Sequence, residues 1–168
     1  MGEIAEKKQR LRKEILSARK ARTTRNTDLI TENLLRLVFE LHPQRVAVYR
    51  SYSSEPDTAE FINKVSVPVM VPITMDEENL AWVYDDADDY GQITDGDLMI
   101  IPALAVDKSG NRLGRGKAYF DRELATLPKS VQVYAVVFDS EFLDEIPTEE
   151  HDRKVNGVVT EAGIHKIN

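Results

Sequence analysis

The residues LMIIPALAVDKSGNRLGRGKAYFDR, at positions 98–122, contain the most informative pattern in the chain. Positions 98–105 are its most continuously apolar segment, which predicts a strand at the centre of a sheet. A turn at 107–111 and a glycine-containing basic loop follow, and then a helical pattern that continues through Leu124 and Leu127. In open α/β sheets, ligands bind outside the carboxyl ends of the strands, at junctions of this kind.

The loop has the composition of a phosphate-binding site. Gly114 and Gly116 let the backbone approach an anion closely, and the following helix N-terminus offers N–H groups and a positive dipole. Arg112, Arg115 and Lys117 add full positive charges. Phosphate is therefore the predicted ligand, and a solvated basic turn is the alternative.

The loop matches neither of two common phosphate-binding fingerprints. The P-loop pattern requires a glycine where the chain has Asn111, and Ser or Thr where it has Ala118. The dinucleotide pattern read from Gly114 requires a glycine where the chain has Tyr119. A nucleotide would therefore be bound by another loop design.

Composition limits the classes of function. A chain of 168 residues predicts one domain, and a net charge of −7 argues against broad binding to nucleic acids or membrane surfaces. The absence of cysteine excludes thiolate catalysis, and three histidines disfavour a multi-histidine metal site. No apolar run approaches the about 18 residues that span a bilayer, so we expect a cytoplasmic protein. The oligomeric state is left open, with a monomer favoured.

Residues 3–21 predict a basic N-terminal helix, because they are rich in good helix formers and carry a partial apolar stripe that includes Leu11 and Ile15. Lys8 and Arg12 are four residues apart and share a face of this helix. In an acidic protein, this local concentration of cations suggests that one or two reach a polyphosphate. The alternative is a solvated helix face.

The rest of the chain alternates between strand and helix patterns. Asp57, followed three residues later by Glu60, fits a capping box at the start of a helix. The alternation implies right-handed crossovers and a largely parallel sheet covered on both faces. Further strands are predicted at 45–49, 67–73, 80–84 (at a sheet edge), 131–138 and 156–160.

Three carboxylates are candidate ligands. A nucleotide needs Mg2+, which is usually held by one or two carboxylates together with phosphate oxygens and water. Asp121 lies near the start of the helix after the loop, and Asp152 lies in a loop before the last strand. Their alternatives are an ion pair between Asp121 and Arg122, or a favourable interaction of Asp121 with the helix dipole, and an exposed turn at Asp152. Glu55 lies at another strand-to-helix junction, where a solvent-facing acid is the alternative.

These features resemble the 5-formyltetrahydrofolate cyclo-ligase family, also called methenyltetrahydrofolate synthetases. The resemblance covers nearly the whole chain, and the Arg-Leu-Gly-x-Gly-x-x-Tyr-x-Asp core is its most specific part. The four features that occur in the family's order are Lys8-x-x-x-Arg12, Glu55-Pro56-Asp57-Thr58, the stretch 107–122, and the stretch 146–161 with His151-Asp152 and Thr160-Glu161.

The resemblance implies a single-domain, three-layer α/β/α fold with an open, mainly parallel sheet. It also implies an enzyme that uses ATP and Mg2+ to convert 5-formyltetrahydrofolate to 5,10-methenyltetrahydrofolate, with release of ADP and phosphate. The formyl oxygen would attack the γ-phosphoryl group, N10 of the folate would close the ring, and phosphate would leave. Phosphoryl transfer depends mainly on positioning and charge stabilisation, so no protein nucleophile is required.

The resemblance also implies roles for individual residues. ATP would be bound by Lys8, Arg12, Arg112, Gly114, Arg115, Gly116, Lys117, Ala118, Tyr119 and Asp121. Arg115 and Lys117 are the predicted catalytic residues. The folate would contact Arg50, Glu55, Tyr119 and Phe120, and Mg2+ would be held by Asp121 and Asp152.

Three segments depart from the family pattern. Ala118 and Phe120 stand where many members have glycine and tyrosine, and the alanine is tolerable unless its position requires a positive φ. The segment 85–97 is shorter, and 139–142 replaces a stretch that often contains glutamine. Two other functions therefore stay open: a nucleotide- or folate-binding module with little turnover, and ATP-dependent chemistry on another pterin-like or formamide substrate.

Overall fold

The computed structural model describes residues 2–23, 27–149 and 153–167. Within these ranges the α-helices are α1 (Glu3–Ala21), α2 (Thr27–Leu41), α3 (Ala59–Lys64) and α4 (Tyr119–Thr126). The strands are β1 (Val46–Val48), β2 (Val69–Thr74), β3 (Leu80–Tyr84), β4 (Tyr90–Gly91), β5 (Leu98–Pro102), β6 (Ala105–Asp107), β7 (Arg112–Leu113), β8 (Gln132–Val136), β9 (Phe142–Leu143), β10 (Gly157–Thr160) and β11 (Gly163–Lys166). A short 3-10 helix, Asp139–Glu141, precedes β9.

Eight strands form the main sheet in the order β11-β10-β8-β5-β1-β2-β3-β4. The five central strands, from β10 to β2, are parallel, while β11, β3 and β4 pair antiparallel at the two sides. The predicted open, mainly parallel sheet is therefore confirmed. From β1 the chain passes to β2 on one side of it, and later places β5 on the other side. The strand order therefore reverses between β1 and β5, which is where ligands of open α/β sheets bind.

Helices cover both faces of this sheet. Along β1, Val46 and Val48 pack into a core with α2 and α3, whereas Ala47 points to the opposite core, which contains Leu124 of α4. The alternation follows from the two-residue period of a strand. These two cores confirm the three-layer α/β/α arrangement.

A second, three-stranded sheet of β7, β6 and β9 stands beside the main one. The single central strand predicted at 98–105 is therefore wrong at its end, because β5 stops at Pro102 and the chain changes sheet before Ala105. The apolar run continues because Leu104 and Ala105 are buried in a small core with Ile15 of α1. The smaller sheet is thus the platform on which α1 packs.

Two further local predictions are wrong. No capping box joins Asp57 and Glu60, because α3 begins at Ala59 and its N-cap Thr58 makes no side-chain cap. Asp57 instead accepts hydrogen bonds from the Ala59 amide at 3.0 Å and the Ser51 hydroxyl at 2.8 Å. The strand β3 is not at the edge, because the two-residue β4 pairs outside it.

Candidate functional site

A cavity of about 560 Å³ opens at the carboxyl ends of β1, β2 and β5. Its volume is in the usual range for small-molecule sites. The wall combines cations of the glycine loop with aromatic side chains and one buried acid. The predicted site residues that line it are Arg50, Glu55, Arg112, Gly114, Arg115, Lys117, Ala118, Tyr119, Phe120 and Asp121.

The loop backbone is held in left-handed conformations. Gly116 has φ of 109°, and Ala118, the residue that precedes α4, has φ of 61° and ψ of 17°. A side chain with a Cβ crowds the backbone there, at a cost of roughly 1–2 kcal/mol. Alanine would be harmless at position 118 only if its φ were negative. Because the φ is positive, the loop carries local strain.

Ala118→Gly is expected to raise the free energy of unfolding by about 1 kcal/mol, because it removes this strain. Urea denaturation at neutral pH measures the change. Ala125→Gly, the same substitution inside α4, is the matched control and should lower stability by about 0.5–1 kcal/mol. A loss of stability in both variants would contradict the strained conformation of Ala118.

The N-terminal helix reaches the loop through Arg12. Nε of Arg12 donates a hydrogen bond of 2.9 Å to the carbonyl oxygen of Gly114. One turn earlier, Nζ of Lys8 lies 4.0 Å from a carboxylate oxygen of Glu149. Neither side chain lines the cavity. Arg12 contacts the loop at Gly114 and lies close to Gly116, whereas Lys8 lies beside Glu149.

Arg112 fastens the loop to the end of β5. Its Nε donates to the carbonyl oxygen of Pro102 at 2.8 Å, and its Nη1 lies 3.2 Å from Oδ1 of Asp121. The side chain is only 6% exposed and its guanidinium lies over the Phe120 ring. Asp121 thus pairs with Arg112 rather than with its neighbour Arg122, and much of the charge of Arg112 is compensated.

Arg115 and Glu55 meet inside the cavity. Nε of Arg115 lies 3.8 Å from Oε2 of Glu55, and its Nη2 lies 3.5 Å from the Ser54 hydroxyl. The guanidinium also stands 5.3 Å from the centre of the Tyr52 ring. These contacts are long, so Arg115 keeps more of its charge available than Arg112 does.

Glu55 is a buried acid with a perturbed titration. Burial raises the pKa of its carboxyl, whereas the hydrogen bond from the Tyr52 amide at 2.9 Å and the charges of Arg115, Arg19 and Arg112 lower it, with burial dominant. The solvent-facing alternative for Glu55 is therefore wrong. A buried acid with raised pKa in a cleft is a typical feature of a functional site.

The rim of the cavity carries Tyr119 and Arg50. The Tyr119 hydroxyl lies 3.4 Å from the carbonyl oxygen of Asp76, and Arg50 makes an ion pair with Asp85. Asp85 belongs to the connection between β3 and β4, the segment that departs from the family pattern. That segment therefore contributes to the site by holding Arg50.

One predicted metal ligand lines the cavity. Asp121 does so with its side chain about half exposed, whereas Asp152 lies outside the described residues. In the part of the chain that the structure describes, no group of three His, Asp or Glu side chains could hold a metal ion. A single carboxylate is compatible with Mg2+ that takes its other ligands from phosphate and water.

Sequence reasoning missed the most deeply buried charged residue of α1. Arg19 is 1% exposed and makes a two-pronged ion pair with Glu141, at 2.8 and 2.9 Å. The available signal was its spacing, since Arg19 lies four residues after the buried Ile15 and seven after Arg12, on the same face of the helix.

None of the helices in the described residues is both long and apolar enough to cross a membrane.

Relatives of known name share this sequence pattern. A 5-formyltetrahydrofolate cyclo-ligase of Mycolicibacterium smegmatis is 52% identical over 68 residues, which are 40% of this chain and 35% of that relative. The alignment thus spans about a third of that protein. A 5-formyltetrahydrofolate cyclo-ligase of Haemophilus influenzae is 25% identical over 175 residues, covering 88% of this chain and 94% of its own.

The fold is also shared with a solved structure. The NMR structure of a 5,10-methenyltetrahydrofolate synthetase from Aquifex aeolicus has a TM-score of 0.78 and 22% identity, over 96% of this chain and 93% of that one. The family model of the 5-formyltetrahydrofolate cyclo-ligases matches residues 74–161, more than half of the chain. The resemblance is therefore confirmed, and the chain belongs to the 5-formyltetrahydrofolate cyclo-ligase family.

Proposed function

We propose that this protein cyclises 5-formyltetrahydrofolate to 5,10-methenyltetrahydrofolate at the expense of ATP, with Mg2+. The observation that carries the proposal is the cavity in which the basic glycine loop meets the buried acid Glu55. Phosphate chemistry requires a basic loop of this kind, and a buried acid is suited to the recognition of a polar heterocycle. Family membership supports the same reaction.

The nucleotide side of the cavity is the loop between β7 and α4. Backbone N–H groups at Gly114 and Gly116 can approach phosphate closely, and Arg115 and Lys117 supply charge at the cavity wall. We assign these two cations the catalytic role, which is to stabilise negative charge on the transferring γ-phosphoryl group. Arg112 instead positions the loop, because its hydrogen bonds hold the Pro102 carbonyl and Asp121.

The folate side is formed by Glu55, Arg50, Tyr119 and Phe120. The ionised carboxylate of Glu55 can accept hydrogen bonds from the amino and N–H groups of a pterin ring. The two aromatic rings offer apolar faces for that ring, and Arg50 at the rim can pair with a carboxylate of the glutamyl tail. Binding of this kind places the formyl group next to the loop.

The proposed reaction balances without a protein nucleophile. The formyl oxygen forms a bond to the γ-phosphorus while the bond from that phosphorus to the ADP oxygen breaks. N10 then bonds to the former formyl carbon and loses its proton, and the carbon–oxygen bond breaks to release phosphate. The chain's contribution is to align the two substrates and stabilise the developing charge.

Asp121 and Asp152 are the proposed protein ligands of Mg2+, which supplies charge neutralisation on the polyphosphate when bound, and of the two only Asp121 lies within the described residues. Asp121→Asn is expected to raise the Mg2+ concentration for half-maximal turnover by about tenfold. A titration of turnover against Mg2+ measures this, with the exposed Asp28→Asn as a control. If turnover were reduced equally at limiting and saturating Mg2+, Asp121 would act by holding Arg112 and not as a ligand.

The proposed activity is tested by mixing the protein with 5-formyltetrahydrofolate, ATP and Mg2+ and following the methenyl chromophore in acid. Product formation with release of ADP is expected. ATP and folate binding without product would favour the binding module, and turnover only with another formamide or pterin would favour a different substrate.

The monomeric state, the cytoplasmic location and the lack of nucleic-acid and membrane partners stay predictions.

A further inference from the structure

The buried Arg19 joins α1 to the carboxyl edge of the main sheet. Its Nε and Nη2 donate to the two carboxylate oxygens of Glu141, and Nη2 also donates to the carbonyl oxygen of Ala103 at 2.7 Å. Glu141 in turn accepts from the Phe138 amide at 2.9 Å. One ion pair therefore links the helix to the ends of both β5 and β8, and Ala103 lines the cavity.

This pair contributes more to geometry than to stability. Nη1 of Arg19 is buried and has no hydrogen-bond partner among the described residues, which carries a free-energy cost. Buried ion pairs are often no more stabilising than apolar residues of similar volume. Leu11, Ile15 and Leu16 already hold α1 against the smaller sheet. Apolar contacts have little directionality, whereas a two-pronged ion pair fixes the helix at one register.

The register matters because Arg12 lies on the same face of α1, two turns before Arg19. The separation is about 10 Å along the helix axis, and at that distance Arg12 meets the carbonyl oxygen of Gly114. A helix is stiff over two turns, so the placement of Arg19 sets the placement of Arg12. We infer that Arg19 and Glu141 are positioning residues that hold α1 so that Arg12 supports the nucleotide-binding loop. The inference rests on the proposed function, since it assumes that the loop binds ATP.

The test replaces the ion pair as a unit, with Arg19→Met and Glu141→Leu together, because removing one partner would leave a buried charge unpaired and destabilise the fold. Thermal unfolding is expected to show that this double variant folds. The dissociation constant for ATP with Mg2+, measured by titration calorimetry, is expected to rise about tenfold. Arg10→Met, the same change on the exposed side of α1, should leave the constant unchanged.

A cycle with Arg12→Gln separates positioning from a general structural effect. In the Arg12→Gln background, the double replacement is expected to cause no further loss of affinity, because the contact that it positions is already gone. A further tenfold loss in that background, or wild-type affinity in the double variant, would overturn the inference. If the double variant failed to fold, Arg19→Lys, which keeps the charge but not the two-pronged geometry, would replace it in the same cycle.

Amide hydrogen exchange without ATP gives a readout that is independent of the proposed function. The amides of residues 3–12 are expected to exchange faster in the Arg19→Met/Glu141→Leu double variant than in the wild type. In Arg10→Met they should exchange at the wild-type rate. Unchanged exchange in the variant would overturn the positioning role whatever the ligand. Wild-type protein that binds ATP but forms no product would contradict the proposed function and leave this inference standing.

Discussion

Arg115→Gln is expected to lower kcat by about 10²–10³-fold, the size of effect seen when one donor to a developing anion is removed. The structure gives the reason. The contacts of Arg115 to Ser54 and Glu55 are 3.5 and 3.8 Å long, so its charge is not committed to a close partner. It also lines the cavity beside the glycine loop, where the transferring phosphoryl group would lie.

Steady-state kinetics with saturating ATP, 5-formyltetrahydrofolate and Mg2+ measure this effect. Arg115→Lys keeps the charge and gives up the planar fork, so an intermediate kcat is expected. Arg36→Gln is the matched control, because Arg36 is a surface arginine of α2 that bonds to Asn33. A kcat for Arg115→Gln within twofold of the wild-type value would remove Arg115 from the catalytic residues.

Glu55→Gln is expected to reduce kcat/KM for the folate by about 10–100-fold while making the folded protein more stable at neutral pH. The loss of activity follows because a neutral amide accepts weaker hydrogen bonds than a carboxylate does. The gain in stability follows because the ionised carboxylate is buried in the wild-type protein. Opposite effects on stability and activity are typical of functional sites.

The raised pKa of Glu55 sets the direction in which stability should change with pH. Burial raises the pKa of Glu55 above its ordinary value, so the folded state binds the proton more tightly than the unfolded state does. Ionisation therefore costs stability as the pH rises from the ordinary pKa to the raised one, and the full penalty persists above it. The stability difference between variant and wild type should be small in acid and grow to a plateau towards neutral pH.

Activity should show the same titration. Wild-type kcat/KM for the folate is expected to fall in acid with an apparent pKa above the ordinary glutamate value, and the Glu55→Gln profile should lack that limb. Glu60→Gln, at a half-exposed glutamate of α3 that pairs with Lys64 outside the cavity, is the control. An active Glu55→Gln variant, or one that is less stable at neutral pH, would contradict the assignment.

The strands with long apolar runs were predictable from sequence because their alternate side chains point into the two cores on opposite faces of the sheet. Residues 98–102 and 133–138 are apolar at successive positions, as strands covered on both faces must be. The two-residue strands β4, β7 and β9 leave no such signal, since a neighbouring strand and not a local pattern defines them. The departure of the chain from the main sheet after Pro102 was hidden for a related reason: α1 covers residues that look like more of the same strand.

The residue types of the site were predictable, but their states of pairing were not. Arg112 and Arg115 look alike in the sequence, yet one is 6% exposed and held by Pro102 and Asp121, while the other is 31% exposed with long contacts. The positive φ of Ala118 is likewise a property of the folded loop. Which arginine is structural and which is available depends on partners that only the fold brings together.

We propose that ATP and 5-formyltetrahydrofolate meet in this one cavity. Substrate carrying ¹⁸O in its formyl group tests that claim most directly, with mass spectrometry of the phosphate released in ordinary water. If the formyl oxygen attacks the γ-phosphoryl group, the label should appear in phosphate with one labelled phosphate for each methenyl product. Phosphate without the label would mean that water, not the folate, received the phosphoryl group, and would contradict the account.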